Sequence, residues 1–285
     1  MTSPSLPIVR TVAELRAQVR AWRAAGKRVG FAPTMGALHE GHLSLVRLAR
    51  GHADRVVVSV FVNPTQFGPN EDFDAYPRDE ARDAELLVGV GCDLLFAPTV
   101  AEMYPPGAST TVTVAGVSES LDGAARPGHF AGVATVVAKL LNQCAPDVAV
   151  FGEKDYQQLQ VIRRLARDLD LPVEILGAPT ARAEDGLALS SRNAYLSTAE
   201  RRAAPALVRA LQEACTRLRA GAPVAEAEIE VIGALARAGF RKVDYVEVRG
   251  ADDLARLGPG PVSEPARILA AAFLGKTRLI DNMPV

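Results

Sequence analysis

Two imidazoles three residues apart, His39 and His42, stand in the run Thr34-Met35-Gly36-Ala37-Leu38-His39-Glu40-Gly41-His42, directly after the apolar stretch Arg28 to Ala32. A buried strand that turns into a helix there suits phosphate, because a helix start presents unpaired N–H groups and positive potential. The spacing predicts His42 in the first helical turn, where either imidazole can donate to a phosphoryl oxygen as charge builds. Gly36 and Gly41 let the backbone approach a nucleotide where a side chain would obstruct it. Zinc is the weaker reading, since the spacing is His-x-x-His rather than an i, i+4 pair and no third ligand is evident. An ordinary helix cap is the bland alternative.

Three further segments carry polar groups of the right kinds. Phe61 to Gly68 leaves a strand through Asn63-Pro64-Thr65-Gln66. Its amides can grip hydroxyl and carboxylate groups without adding charge, although Asn-Pro is also a common turn initiator. Phe151-Gly152-Glu153-Lys154-Asp155-Tyr156-Gln157-Gln158 places Lys154 to reach a phosphate and Asp155 to accept from a ribose hydroxyl or cap a helix, with Gln158 one turn further on. A capped helix with a solvated lysine is the competing view. Leu189-Ser190-Ser191-Arg192 offers two hydroxyls and a guanidinium as a triphosphate clamp, against the plainer reading of a linker with a surface arginine. Arg126-Pro127-Gly128-His129-Phe130 reads as a mobile loop able to close over a crevice, or as a simple turn. Asp83 is the candidate contact for a Mg²⁺ carried by ATP, although most helical aspartates are merely solvated. His52 is expected to be structural or exposed, and Trp22 to pack.

These groups need a scaffold that brings distant loops together. Short β-rich runs at Val29 to Ala32, Val56 to Val62, Leu94 to Ala97, Val148 to Phe151 and Val173 to Leu176 alternate with helical patterns at Leu43 to Ala53, Arg78 to Val90, Val133 to Gln143 and Tyr156 to Leu169. Such alternation predicts an α/β fold, a Rossmann-like doubly wound parallel sheet. Ligands bind beyond the carboxyl ends of its strands, where the His-x-x-His, Asn63-Gln66 and Gly152-Asp155 segments fall. Composition shifts after about Leu196, and Ser197 to Glu200 looks like a helix cap before an Ala/Arg/Leu-rich helix. A second helix at Val224 to Ala238, a Gly258-Pro259-Gly260-Pro261 loop and strands at Lys242 to Val248, Ala266 to Phe273 and Thr277 to Asn282 predict a small sheet with helices against it. The expected division is 1–188, catalytic, and 189–285, a smaller C-terminal α/β domain over the site.

Bulk composition narrows the partners. With 285 residues, 32 basic and 33 acidic, the formal net charge is -1, so no global field favours nucleic acid or an anionic membrane. Cys92, Cys144 and Cys215 lack metal-like spacing and are odd in number, which fits a reducing cytoplasm better than a disulfide framework. No apolar run approaches the length of a membrane span, and Met1 to Trp22 has no signal-peptide core, so a soluble cytoplasmic protein is expected.

Together the quoted motifs, from Val29 to Leu196, closely resemble the pantothenate synthetase (pantoate-β-alanine ligase) family of the nucleotidyltransferase superfamily, whose signature is a His-x-x-His pair. The resemblance implies ATP, with Mg²⁺, as a substrate: pantoate attacks its α-phosphate to give pantoyl adenylate and pyrophosphate, and β-alanine then displaces AMP. It implies that Met35, Gly36, Ala37, Leu38, His39, Glu40, Gly41 and His42 line ATP, with His42 the usual proton donor. Gln66 and Gln158 would hold pantoate, Gln66 also touching β-alanine, and Asn63 would support them. Gly152, Glu153, Lys154 and Asp155 would bind nucleotide, and Leu189, Ser190, Ser191 and Arg192 would close on the triphosphate. Ala181 stands where the family makes an adenine contact, often with a bulkier side chain, so a backbone contact is implied. Around Asp83 the family often has adjacent acidic residues, whereas this chain reads Ala81-Arg82-Asp83. A homodimer is expected on the same basis. Two rivals remain: a nucleotidylyltransferase acting on a phosphorylated acceptor, which has less use for Gln66 and Gln158, and a nucleotide-sensing module without turnover, against which His39, His42, Lys154 and Arg192 argue.

Overall fold

The computed structural model describes residues 6–69, 71 and 73–285. Its first part begins with β1 (Ile8–Val9), α1 (Val12–Ala24), β2 (Val29–Thr34), α2 (Glu40–His52), β3 (Arg55–Val60), α3 (Glu80–Gly89) and β4 (Leu94–Phe96). It continues through α4 (Val100–Met103), α5 (Asp122–Ala125), α6 (His129–Cys144), β5 (Val148–Gly152), α7 (Tyr156–Asp168) and β6 (Glu174–Ala178). The six strands form one parallel sheet in the order β1-β4-β3-β2-β5-β6. A parallel sheet is covered on both faces, which is why its strands read as continuous apolar runs. Val29, Phe31 and Val57 face one apolar cluster, while Ala32, Val56 and Val58 face the other.

The strand order reverses between β2 and β5, and there the ladder stops early. These strands share two registered pairs, Gly30 with Val148 and Phe31 with Ala149, whereas β2 stays paired to β3 as far as Thr34. Beyond Phe31 the sheet therefore opens at its carboxyl edge, the position that accommodates ligands in doubly wound folds.

The chain continues with α8 (Thr198–Ala203), α9 (Ala206–Arg219), α10 (Val224–Arg237), β7 (Lys242–Gly250), β8 (Ala266–Leu274) and β9 (Thr277–Pro284). The last three strands make an antiparallel sheet, β7-β8-β9, with a core of its own around Leu211, Val231, Val248 and Ile268, to which Leu187 already belongs. The fold thus matches the expected parallel sheet with a smaller C-terminal unit. Among the described residues no helix is long and apolar enough to cross a membrane.

Three local readings change. The helix expected after Ser197 is two helices, because Pro205 has no N–H for the turn before it. The edge strand β1, two residues long, is too short to show periodicity. The segment 126–130 is not a free loop: Gly128 takes φ +83° and α6 begins at His129, four residues earlier than the apolar pattern indicates. Arg126 is fixed there by a two-pronged ion pair with Glu71, at 2.7 and 2.6 Å.

Candidate active site

At the end of β2 the chain makes a tight reversal. Thr34 Oγ1 donates to the carbonyl of Ser59 at 2.8 Å and accepts from Gly36 N at 3.2 Å. Gly36 then takes φ +82° and Ala37 φ +51°, and the N–H groups of Ala37 and Leu38 donate to the two carboxylate oxygens of Asp83, at 3.0 and 2.7 Å. A Cβ on Gly36 would meet Asp83 Oδ2 at 3.0 Å, so glycine serves both the turn and the close approach.

Asp83 therefore has a different task from the metal contact expected of it. It is 1% exposed and faces the inside of the reversal rather than the crevice. Burial pushes its carboxyl upward, against the two N–H donors that favour the charged form. Among the described residues no group of three His, Cys, Asp or Glu side chains is arranged to hold a metal ion. Asp83→Ala would orphan the buried Leu38 N–H and the part-buried Ala37 N–H, and is expected to cost about 3 kcal/mol of stability. Denaturant unfolding checks this, and a loss below about 1 kcal/mol would show that the reversal holds without the clamp.

The reversal delivers His39 to the N-cap of α2. Its Nδ1 accepts from Gly41 N at 3.1 Å, while Nδ1 of His42 accepts from His39 N at 3.4 Å, so the two imidazoles cap the helix reciprocally. Their ring centroids are 4.1 Å apart. With each Nδ1 serving as acceptor, the proton of each neutral ring sits on Nε2. The cap reading and the phosphate reading are thus compatible: one ring nitrogen holds the helix and the other is a donor. A Cβ on Gly41 would lie 2.9 Å from His39 Cε1, which explains glycine between the rings.

Burial keeps both rings neutral. His42 is pushed down to about 3, first by burial and then by His39, and His39 is lowered by burial and by Lys154. His129, described below, is held at about 4 by burial and Arg126. In the unfolded chain such groups protonate near pH 6.5, so below that pH the unfolded state binds more protons. Stability of the unliganded protein is therefore fully present above about pH 6.5 and is lost as pH falls toward 4, by about 1.4 kcal/mol per pH unit for each of His42 and His129, with His39 adding in the same direction. Unfolding midpoints between pH 7 and 5 check the slope, and His42→Asn should flatten it. An unchanged slope would mean that His42 is not held neutral.

Across the opening, β5 leads into a single tight turn, Glu153–Asp155, before α7. Lys154 Nζ lies 3.8 Å from Asp155 Oδ1. The third wall is the turn after β3. Asn63 is 1% exposed and its amide is fully engaged: Oδ1 accepts from Tyr104 OH and Thr65 Oγ1, and Nδ2 donates to the carbonyl of Gly132 and to Gln66 Oε1. Asn63 supports the pocket rather than offering a free amide. A Cβ on Gly132 would stand 2.2 Å from the Thr65 carbonyl, so α6 meets this turn at a glycine.

Gln66 is oriented by a chain that the sequence did not disclose. Arg126, paired with Glu71, lies 3.0 Å from His129 Nε2, and His129 Nδ1 lies 2.8 Å from the Gln66 carbonyl. Arginine only donates, so Nε2 accepts and Nδ1–H donates to Gln66. Their ties to residues 63 and 55 positions away leave no periodic signal; the sequence motif Arg-Pro-Gly-His itself was the visible clue.

Two cavities that share lining residues, of about 230 and 710 Å³, meet at Lys154, Asp155, Gln158 and Arg192. Met35, His39, Gly41 and His42 face the smaller, as do Asn63, Gln66, Gly152 and Ala181. Leu189, Ser190, Ser191 and Arg192 close its far side, with the Leu189 N–H on the Ala181 carbonyl at 2.9 Å and Ser191 Oγ 3.2 Å from Tyr76 OH. Five expected nucleotide contacts are not on this wall. Gly36, Ala37 and Leu38 form the reversal, Glu40 pairs with Arg47 outside, and Glu153 pairs with Arg267 at 3.1 Å. All but Glu40 shape the wall from behind.

Donors on both sides of a switch-point crevice, without a carboxylate cage, suit a polyanion, and place the chain among α/β proteins that handle nucleotide phosphates. Within that class the particular family is clear. The family model described as pantoate-beta-alanine ligase matches residues 7–284, and the chain belongs to that family. It is 70% identical, over the whole of both chains, to the pantothenate synthetase of Caulobacter vibrioides. A crystal structure of pantothenate synthetase from Thermus thermophilus superposes with a TM-score of 0.91 at 51% identity, covering 98% of this chain and 99% of that one. The pantoate-beta-alanine ligase of Francisella tularensis, complexed with beta-gamma ATP and beta-alanine, is 33% identical with a TM-score of 0.82, covering 98% of each chain.

Proposed function

We infer that this chain condenses pantoate with β-alanine to form pantothenate at the expense of ATP. The observation that carries this reading is the pair of Nε2–H donors on His39 and His42, set across the crevice from Lys154 and Arg192. The pantoate carboxylate attacks the α-phosphorus, the bond to the bridging oxygen breaks, and pyrophosphate leaves with its electron pair. β-Alanine, as free amine, then attacks the acyl carbon of the mixed anhydride, losing a proton as AMP departs. The carboxylate is already ionised, so the first step needs alignment and charge neutralisation more than a base. The imidazole donors, Lys154 and Arg192 supply that neutralisation, and Gln66 and Gln158 suit an uncharged polyol acid.

Mg²⁺ enters this proposal as part of the ATP substrate. Asp83 is committed to backbone N–H groups and no protein cage stands near it among the described residues, so no step is assigned to a protein-held metal. Residues 1–188 would bind ATP and pantoate, with 189–285 as the covering unit. A cytoplasmic homodimer remains our proposal on the family resemblance; the cysteines, all buried and free, suit a reducing compartment.

Pantoate-dependent exchange of pyrophosphate into ATP, followed by pantothenate formation on adding β-alanine, tests the whole sequence. Absence of exchange with pantoate would overturn the ligase, and exchange without amide formation would indicate a simple adenylyl transferase.

A further inference from the structure

The C-terminal sheet supports the crevice wall from behind, and one of its side chains holds the backbone there directly. Asn282, on β9 and 5% exposed, donates from Nδ2 to the carbonyls of Glu153 and Lys154, each at 2.9 Å. Its Oδ1 accepts from Arg267 Nη1 at 2.9 Å. A guanidinium can only donate, so that contact fixes which way the amide faces: oxygen toward Arg267, nitrogen toward the two carbonyls. Arg267 is itself held, by Glu153 Oε2 at 3.1 Å and by the ring of Tyr156, 3.8 Å beneath its guanidinium. Asp281, the neighbour of Asn282, takes Arg182 on both oxygens at 2.6 and 2.9 Å, and Arg182 lies on the segment that leads to Ser190. Two adjacent residues of one strand thus tie both phosphate-facing segments.

The carbonyls that Asn282 holds belong to the tight turn 153–155, which joins β5 to α7. Lys154 carries its ammonium on a flexible stem, so where the charge sits depends on where this turn holds its Cα. Asn282 is not itself on the crevice wall. We propose that Asn282 is a positioning residue for the adenylation step, fixing Lys154 against the ATP phosphates through the carbonyls of Glu153 and Lys154. This rests on the reading of Lys154 given above.

The test uses the full chain and both half-reactions. Asn282→Ala should lower pantoate-dependent ATP–pyrophosphate exchange about 30- to 100-fold, the scale of a small misplacement of a reacting group. Conversion of supplied pantoyl adenylate and β-alanine to pantothenate should stay within about 3-fold of the parent, since no triphosphate is handled there. Asn282→Asp keeps the volume and the Arg267 contact while turning an acceptor on the two carbonyls, so it should show the same split without opening a cavity. In a Lys154→Ala background, Asn282→Ala should cost no more than about a further 2-fold, because both act through one ammonium. Parallel loss in both half-reactions, multiplicative losses in the double variant, or undiminished exchange in Asn282→Ala would each overturn the proposal. Parental exchange in Lys154→Ala would overturn the lysine's role as well, and is read with Asn282 intact.

Discussion

His42→Ala is expected to lower pantoate-dependent ATP–pyrophosphate exchange by two orders of magnitude or more, about 3 kcal/mol of transition-state stabilisation. The size follows from where the donor sits. His42 lies in the first turn of α2, half-buried and neutral, with Nδ1 on the His39 N–H and the proton on Nε2. A donor fixed by its own helix needs no reorganisation when charge develops on phosphate, and burial strengthens each contact it makes. Alanine also removes half of the reciprocal cap, worth about 1 kcal/mol of folding stability. The unfolding midpoint reads that loss separately from the rate. Near-normal exchange in a folded His42→Ala would refute its assignment.

Lys154→Ala is expected to be as severe in the exchange reaction, again two orders of magnitude or more. Lys154 lies on the opposite lip, near Asp155, where it neutralises the triphosphate as charge moves to pyrophosphate. It has a second effect on the histidines, because its charge helps to hold His39 and His42 unprotonated. Without it, both rings should protonate at higher pH, and the acid limb of the exchange profile should move upward. Lys154→Arg keeps the charge but replaces a compact ammonium with a planar fork, so only part of the rate should return. Exchange at the parental rate, or an acid limb that stays in place, would contradict this account.

Much of this is written locally in the chain. Alternating strand and helix patterns led to the parallel sheet, and the polar segments after β2, β3 and β5 fell beyond its carboxyl edge because that edge is where such loops emerge. Long-range pairings left no such trace. Asp83 meets Leu38 across 45 positions and Asn282 meets Lys154 across 128, so neither clamp has a period or a neighbouring motif to announce it. Residue type misled at Asp83, where a carboxylate in an ATP enzyme suggests metal while the structure uses it to reverse a backbone. At Arg126 to Phe130 the proline and glycine looked like mobility, yet Glu71 and Gln66 pin that segment. The spacing of His39 and His42 was legible, and a helix cap was one reading of it, but not that the N-cap and third residue cap the helix reciprocally and so serve both readings at once.

That reciprocal capping gives the crevice a chemical polarity. A Lewis acid approaching either imidazole from the open side needs the lone pair of Nε2, and that nitrogen has one only if the proton moves to Nδ1. There it would face a backbone N–H, hydrogen against hydrogen, and the helix would lose its cap. An approaching oxygen meets no such obstacle. The histidines that superficially resemble a metal pair are thus biased, by the first turn of their own helix, toward ligands that accept hydrogen bonds.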